Sequence, residues 1–320
     1  MKKHTACILG GTGFVGQALA HRLTHYGYDV RILTRRRERH RDLIVNPRIN
    51  VVETNVHDTG QLEDNFRDCS LVVNLVGILN ETGKGNGFKR AHVELPRQVC
   101  KAMLASGVQR LLHMSAINAD ASAPHGRYLQ SKGEGEDLVH AAQADGLVVT
   151  SFRPSVIFGP DDSFFNRFAS LLKLSPVFFP LACPDSRLAP VYIGDVAEAF
   201  CRAIDNATAG ERLDLCGPEV FTLRELVEYT RDQIGSHCRI LGLGDGLSRL
   251  QAHVLGLVPG KPFTIDNYHS LQVPAICENN ALPEIGIQPV AVGAVVPGYL
   301  AGHSARGRYP DLRRHARRAR

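Results

Sequence analysis

The sequence predicts an α/β protein in which helices cover both faces of a doubly wound parallel sheet, with a smaller C-terminal substrate lobe. Two observations predict this class. Apolar segments with β character alternate with helical patterns through the first half of the chain, and such alternation is typical of βαβ units. The glycine-rich stretch ILGGTGFVG, residues 8–16, then closes the first strand and opens the first helix, as in a Rossmann-type nucleotide fold.

Apolar periodicity places the individual elements along the chain. The predicted strands cover residues 5–9, 29–33, 50–53, 71–77, 108–115 and 147–153. The predicted helices between them cover residues 14–26, 59–67, 88–105 and 128–144. We therefore expect a dinucleotide-binding core over residues 1–153.

Beyond residue 154, prolines divide the chain into shorter segments, which is typical of a lid or substrate lobe. Residues 193–204 and 222–235 are still amphipathic, and Thr222 with Glu225 predicts a capping box. We expect a C-terminal lobe, interleaved with the core, over residues 154–305. Its phenylalanine-rich segment, residues 175–181, could cover a lipophilic or quinone-like molecule or could simply form core.

Composition excludes several classes of protein. Of 320 residues, 44% are hydrophobic and 22% charged, which is ordinary for a globular protein. No apolar segment reaches the roughly 18 residues of a membrane span, and the N-terminus has no signal-peptide pattern. We expect an unprocessed, cytoplasmic protein. Its eight cysteines are scattered without CxxC and HExxH is absent, which predicts free core cysteines and neither a disulfide framework nor a metal site.

The formal charge of +5 is concentrated in residues 306–320, which hold seven arginines and one aspartate. This segment carries +6 and the rest of the chain −1. It is either a disordered, solvated end or an electrostatic contact for anionic lipid at the inner face of the membrane or for an acidic partner. Nucleic acid is not expected, because only Tyr309 accompanies the arginines and no recognition module is present.

The glycine turn predicts a dinucleotide site. Gly11, Gly13 and Gly16 satisfy GxGxxG directly after a strand and before a helix, where the backbone can approach a pyrophosphate closely. At the end of the second strand, an acid would bind the ribose 2′-hydroxyl of NAD. Arg35 and Arg36 stand there instead, and a guanidinium could bind a 2′-phosphate. This favours NADP(H) over NAD(H), the alternative being a solvated basic loop.

Tyr128 and Lys132 are spaced to lie on one side of the helix that follows the fifth strand. A tyrosine can protonate a carbonyl oxygen as hydride arrives, and a nearby ammonium would ease formation of the phenolate. Ser115, at the end of the fifth strand, could donate a hydrogen bond to the same oxygen, although it could equally be an ordinary strand-end residue. Together the three predict a possible hydride-transfer site.

Several motifs together resemble the extended and atypical short-chain dehydrogenase/reductase superfamily: GGTGFVG, Ser115, YLQSK and FRPSVIFGP. The segments YLQSKGEGE, RPSVIFGPDDSFFNRFASL, PVYIGDVAEAF and CGPEVFTLRELVEY are similar to the branch that contains the NADPH-binding accessory subunit of respiratory complex I and its bacterial relatives. The resemblance extends from about residue 5 to residue 300 and leaves only the basic tail outside.

This resemblance implies a set of residues that contact the dinucleotide. Those residues are Gly10, Gly11, Thr12, Gly13, Phe14, Val15, Gly16, Arg35, Asn55, Val56, Leu75, Val76, Gly77, Lys132, Pro154, Ser155, Val156 and Ile157, to which the residues after the second strand add Arg36. Two functions stay open. The chain could be a non-catalytic NADPH-binding protein that supports a respiratory or quinone-related assembly, docked partly through its tail. It could instead be an active NADP-dependent oxidoreductase or epimerase that uses Tyr128 as acid/base.

Overall fold

A computed structural model of the protein describes residues 4–81, 86–123, 126–175 and 177–300. Its strands are β1 (Thr5–Leu9), β2 (Asp29–Thr34), β3 (Ile49–Glu53), β4 (Leu71–Asn74), β5 (Arg110–Met114), β6 (Val148–Pro154), β7 (Ile157–Phe158), β8 (Phe178–Leu181), β9 (Arg187–Leu188), β10 (Val191–Tyr192), β11 (Arg212–Leu215), β12 (Phe221–Thr222) and β13 (Arg239–Gly242). Its helices are α1 (Phe14–His25), α2 (Thr59–Phe66), α3 (Gly87–Lys89), α4 (Leu95–Ser106), α5 (Arg127–Ala141), α6 (Phe165–Leu174), α7 (Ile193–Arg202), α8 (Leu223–Gln233), α9 (Asp245–Leu257), α10 (Ile265–Leu271), α11 (Ala281–Glu284) and α12 (Val292–Leu300).

The central sheet has seven strands in the order β11-β6-β5-β4-β1-β2-β3. Every neighbouring pair is parallel, which confirms the predicted doubly wound α/β class. The strand order reverses between β1 and β4, and a ligand crevice is expected outside the carboxyl ends of the strands at such a point. The glycine turn after β1 and the segment after β4 both lie there.

The chain forms two compact units. The first contains the chain as far as Pro154, Ile193–Leu215 and Cys277–Gln288, and therefore holds the whole central sheet. On one sheet face, β-strand side chains such as Val72 and Leu111 pack with Phe66 of α2 and Val99 of α4. Most of this core is fully buried, so the carboxyl edge of the sheet has a rigid base.

Among the described residues, the second unit contains Ser155–Tyr192, Cys216–Ile276 and the segment from Pro289 to residue 300. Its core includes Phe158, Phe165, Leu226 and Val296. Three two-stranded sheets pair β7 with β10, β8 with β13 and β9 with β12. In the phenylalanine-rich segment, Phe179 packs against the core.

The predicted elements of the first half match the structure apart from small differences at their ends. The largest difference follows β4, which ends at Asn74, because the Asn74 Oδ1 accepts the amide N–H of Val76 at 3.2 Å. The capping box of Thr222 and Glu225 is confirmed at the start of α8. The basic tail, residues 306–320, lies outside the described residues.

The prediction that every cysteine is free is wrong. Six described cysteines are free thiols, whereas Cys216 and Cys277 are disulfide-bonded. Neither cysteine belongs to a short cysteine motif, so the sequence gave no sign of a disulfide at either position.

Among the described residues, no helix is both long and apolar enough to cross a membrane.

Candidate functional site: a dinucleotide cradle at the sheet edge

The glycine turn is built by close backbone contacts. Gly10 has a φ of +78°, a conformation that L-residues rarely adopt. A Cβ at Gly16 would lie 2.3 Å from the Gly10 carbonyl oxygen and 2.5 Å from the Gly11 Cα. The amino end of α1 therefore packs directly against the turn. Thr12 lies in the turn, and Phe14 and Val15 are the first two residues of the helix.

Gly13 differs from these glycines because no steric contact with another described residue demands it. A Cβ there would meet only the Gly10 carbonyl oxygen, at 3.4 Å. Gly13 is the N-cap residue of α1, and no side-chain oxygen caps the helix. The amides of the first turn have no partner within a helix, and a phosphate is the group such amides bind well. The cradle therefore fits a dinucleotide pyrophosphate.

Two exposed arginines follow the second strand. Thr34, the last residue of β2, is buried, while Arg35 and Arg36 are exposed. Neither arginine forms an ion pair with another described residue. The nearby Glu38 is paired with Arg41 at 2.5 Å. The guanidinium groups are thus exposed to solvent, and their predicted role in binding a 2′-phosphate stays a prediction.

The segment after β3 forms a small polar turn. The Asn55 Oδ1 accepts the amide N–H of His57 at 3.2 Å, and Val56 packs against the core. Burial and the positive charges of Arg90 and Arg35 lower the pKa of His57. The turn adjoins the end of β2, because β2 and β3 pair in parallel with Thr34 opposite Glu53.

The segment after β4 connects the glycine turn to the predicted catalytic group. The amide of Leu75 donates to the Leu9 carbonyl at 3.0 Å. A Cβ at Gly10 would lie 3.2 Å from the Val76 nitrogen. On the other side, a Cβ at Gly77 would lie 4.0 Å from the Lys132 Nζ. The structure therefore brings Gly10, Leu75–Gly77 and Lys132 together.

Lys132 is buried on α5, and its ammonium donates to the Met114 carbonyl at 2.5 Å, at the end of β5. Ser115 follows immediately, and its amide donates to the Phe152 carbonyl at 2.7 Å. Its hydroxyl is buried and has no hydrogen-bond partner among the described residues. A buried polar group without a partner is unusual, and a bound ligand would give Ser115 one.

The pair of Tyr128 and Lys132 departs from expectation in its electrostatics. Burial raises the pKa of the Tyr128 phenol to about 12. Burial also lowers the pKa of Lys132 to about 8, an effect that Glu136 partly opposes. The raised pKa of the phenol opposes the predicted easing of phenolate formation, and the Lys132 ammonium is engaged by the Met114 carbonyl.

Sequence reasoning missed His92, which holds the tyrosine in place. His92 lies in a π-helical turn, Arg90–Glu94, between α3 and α4, and such turns often mark functional sites. Its Nε2 accepts the amide N–H of Ile78 at 3.0 Å, and its Nδ1 pairs with the Ser131 Oγ at 2.8 Å. Its ring meets the Tyr128 ring edge-to-face, with centroids 5.6 Å apart.

The protonation state of His92 follows from these contacts. Burial and the Lys132 charge lower the pKa of His92 to about 3, so the ring is neutral at pH 7. Its Nε2 is the acceptor for the Ile78 amide, and its Nδ1–H donates to Ser131, whose hydroxyl donates onward to the Tyr128 carbonyl at 2.8 Å. Nothing in the local sequence, FKRAHVELP, signals a π-turn.

The predicted nicotinamide segment divides between the two units. Pro154 ends β6, and its carbonyl accepts the Ile117 amide at 3.1 Å. Ser155, Val156 and Ile157 belong to the second unit. There the Ser155 hydroxyl donates to the Ala275 carbonyl at 2.7 Å.

A family model, described as the NAD dependent epimerase/dehydratase family, matches residues 6–216. The chain is 28% identical to subunit 9 of the NADH dehydrogenase [ubiquinone] 1 alpha subcomplex of Rattus norvegicus over 295 residues, 89% of this chain and 76% of that protein. It is 31% identical to a ceramide reductase of Caulobacter vibrioides over 201 residues, 61% of this chain and 60% of that protein.

Among solved structures, the dTDP-glucose 4,6-dehydratase DesIV of Streptomyces venezuelae, with NAD and TYD bound, has a similar fold. The TM-score is 0.73 at 19% identity, and the match covers 96% of this chain and 99% of that one. At this identity the likeness shows the fold alone.

Proposed function

This chain belongs to the NAD dependent epimerase/dehydratase family, and from that premise we propose that it binds NADP(H) in preference to NAD(H). The pyrophosphate would rest on Gly10–Gly16, with Leu75–Gly77 and Asn55–Val56 along the adenosine. The observation that carries the preference is the pair of exposed arginines after β2, Arg35 and Arg36, which form no ion pair with another described residue. A 2′-phosphate bound there would gain charge-assisted hydrogen bonds that NAD cannot make.

We further propose that the nucleotide is held as a resident ligand and that the protein supports a respiratory or quinone-related assembly. Two features of the site support retention over turnover: the raised pKa of the Tyr128 phenol and the engagement of the Lys132 ammonium by the Met114 carbonyl. The similarity to a subunit of a ubiquinone-linked NADH dehydrogenase supports the assembly role. The proposed location is the cytoplasm, peripheral to the inner face of the membrane.

Denaturation of the purified protein tests the resident ligand. Mass spectrometry of the released nucleotide should detect NADP(H). In a second sample, kept native, the bound NADPH should remain unoxidised when quinones, ceramide-like ketones or sugar nucleotides are added. Release of NAD(H) alone would contradict the cofactor preference, and rapid oxidation by one of these compounds would contradict the support role.

Ser115 favours a second candidate, an active NADP-dependent oxidoreductase or epimerase. The buried Ser115 hydroxyl has no partner among the described residues and could donate to a substrate carbonyl oxygen. The similarity to a ceramide reductase points to a lipophilic carbonyl substrate. The bound nucleotide would supply hydride, and the Tyr128 hydroxyl would donate a proton to the carbonyl oxygen.

Replacement of the tyrosine separates the two candidates. If the protein is an enzyme, Tyr128→Phe should abolish turnover while NADPH affinity is kept, because the phenyl ring still packs against His92. Turnover that persists in Tyr128→Phe would exclude Tyr128 as the acid.

A further inference from the structure

Two cysteines meet near the amino edge of the central sheet, in the first unit. Cys7 lies in the middle of β1 and is fully buried, whereas Cys69 precedes β4 and is half-buried. The Ser70 amide donates to the Thr5 carbonyl at 2.9 Å, which holds the segment before β4 against β1. Both cysteines pack on the same core, and their thiols are hydrogen-bonded to each other. The fold therefore forms a dithiol from two distant parts of the sequence.

Arg31 gives this dithiol a positive neighbour. It lies opposite Cys7 in the register of β2 with β1, and its Nη1 is 3.7 Å from the Cys69 Sγ. The same Nη1 donates to the Asn65 carbonyl, which also accepts the Cys69 thiol at 3.4 Å. A guanidinium this close to a thiol favours its ionised form.

The two thiols differ in acidity. The hydrogen bond from Cys7 lowers the pKa of Cys69, and the charge of Arg31 lowers it further. Burial and the charge of Asp68 act in the opposite direction but do not reverse the shift. Burial raises the pKa of Cys7 well above its usual value. Cys69 is therefore the thiol that ionises first, while Cys7 stays protonated and donates to it.

Three other free thiols differ from Cys69. Burial raises the pKa of Cys100 and of Cys201 to about 12. Cys183 is half-buried like Cys69, but burial and the charge of Asp245 raise its pKa. Cys183 is therefore a matched comparison for Cys69, because the two thiols share a class of exposure and differ in their charged neighbours.

Cys69 also lines a cavity of about 360 Å³ at the amino edge of the sheet. Its wall includes Tyr28, Ser70, Arg110 and Val148, of which the last two begin β5 and β6. One water molecule occupies about 30 Å³ in the liquid, so a molecule as small as hydrogen peroxide fits beside the thiol. The glycine cradle lies at the carboxyl edge, so the cavity is separate from the nucleotide site.

We propose that Cys69 is a peroxide-reactive thiol and that Cys7 is its resolving partner, so that mild oxidation links β1 to the segment before β4 by a disulfide. Oxidant-sensing cysteines combine ready ionisation, solvent access and a second thiol close by. The dithiol needs no nucleotide for this chemistry, so its test does not depend on the proposed cofactor.

The reaction has two steps. The Cys69 thiolate attacks one oxygen of hydrogen peroxide: an S–O bond forms, the O–O bond breaks, and hydroxide leaves with a sulfenic acid at Cys69. The Cys7 sulfur then attacks the Cys69 sulfur, the S–O bond breaks, and the departing hydroxyl takes the Cys7 proton and leaves as water. The hydroxide of the first step takes up the proton that Cys69 released. Both thiols are thus oxidised to one disulfide, and the peroxide is reduced to water.

Peptide mapping of the full-length protein under non-reducing conditions tests the disulfide. After brief treatment with hydrogen peroxide near neutral pH, mass spectrometry should find the peptides of Cys7 and Cys69 joined. Dithiothreitol should separate them again. The linkage should be lost in Cys69→Ala and should form as in the wild type in Cys183→Ala.

Trapping of the sulfenic acid with dimedone tests the order of the steps. Cys7→Ser keeps a hydrogen-bond donor beside Cys69 but cannot form a disulfide, so it should accumulate the sulfenic acid at Cys69. In the same sample, Cys69 should be labelled at least about tenfold faster than Cys183, the effect of one pKa unit on the fraction of thiolate. Circular dichroism checks the fold, and Cys7→Ala replaces the variant if it does not fold.

Two results would overturn the proposal. Cys69 could be labelled no faster than Cys183, which would show that its neighbours do not activate it. The wild type could instead accumulate sulfenic acid at Cys69 without a disulfide to Cys7, which would show that Cys7 does not resolve it.

Discussion

A lysine buried beneath the end of a β-strand should make the stability of this protein depend on pH. Burial lowers the pKa of Lys132 from 10.5 to about 8 in the folded protein. Between these two values the unfolded chain binds more protons at this position than the folded chain, so the free energy of unfolding should rise with pH. Below about pH 8 the full penalty of burying the charge remains.

The comparison of wild type with Lys132→Met isolates this effect, because the raised pKa values of Tyr128 and the buried cysteines act equally in both proteins. Urea unfolding at about pH 7.5 and 9.5 should show the wild type gaining about 1–2 kcal/mol on the variant as pH rises. Parallel pH profiles would show that the buried lysine does not titrate between these values.

His92 should contribute to stability through its two hydrogen bonds. His92→Phe keeps an aromatic ring near Tyr128 but leaves the Ile78 amide without its acceptor and removes the Nδ1–H that donates to the Ser131 hydroxyl. Loss of partners for buried polar groups costs about 1–3 kcal/mol. Urea denaturation should detect this loss, and NADPH affinity should fall as well because Ile78 adjoins Gly77. The exposed His21→Phe is the control, expected to change stability by less than about 0.5 kcal/mol.

At the scale of elements, α5 can approach the π-helical turn only because position 135 has no side chain. A Cβ at Gly135 would lie 1.8 Å from the His92 carbonyl oxygen. Gly135→Ala should therefore displace α5 and lower the free energy of unfolding by about 1–3 kcal/mol or more. NADPH affinity should fall too, since Lys132 moves with the helix.

Gly246→Ala is the matched control for this prediction. It lies in helix α9, and a Cβ there would meet nothing within 4 Å. Alanine should leave stability unchanged or raise it by about 0.5–1 kcal/mol. If Gly135→Ala behaved like Gly246→Ala, the close packing of α5 on the turn would be refuted.

Local sequence patterns predicted most of the elements because strand and helix periodicities are short-range properties. The succession of β1 to β6 along the chain follows from the alternation of strand and helix patterns. The capping box of α8 involves residues only three positions apart in the sequence. The polar contacts that depend on distant residues could not be predicted. The Lys132 bond to Met114 joins two elements, and the pairing of His92 with Ser131 depends on a π-turn that no residue type specifies.

The same limit explains the cysteine error and the unexpected electrostatics of the tyrosine and lysine. The tyrosine and lysine spacing placed both side chains on one helix face, but the direction of the lysine ammonium was set by a carbonyl at the end of β5. The disulfide-bonded state of Cys216 and Cys277 likewise depends on the fold and not on a local motif. Spacing therefore located the candidate site, while its electrostatics required the structure.

At the scale of the whole molecule, nucleotide binding should not require the basic tail. The whole glycine cradle lies in the first unit, as do most of the other proposed cofactor residues. The tail, residues 306–320, carries a charge of +6. A chain ending at Leu300 should bind NADPH within about twofold of the full chain at physiological salt, where the Debye length is about 8 Å. Fluorescence titration of NADPH measures this. A loss above tenfold would place the tail at the nucleotide site.

The discrimination between NADPH and NADH tests the central claim most directly. Isothermal titration calorimetry should give the wild type at least about tenfold tighter binding of NADPH, the equivalent of one to two charge-assisted hydrogen bonds. The double variant Arg35→Ser with Arg36→Ser should lose this preference and keep its affinity for NADH. Arg41 is paired with Glu38, so the control variant Arg41→Ser should behave as wild type. Equal binding of the two nucleotides by the wild type, or an unchanged preference in the double variant, would contradict the account.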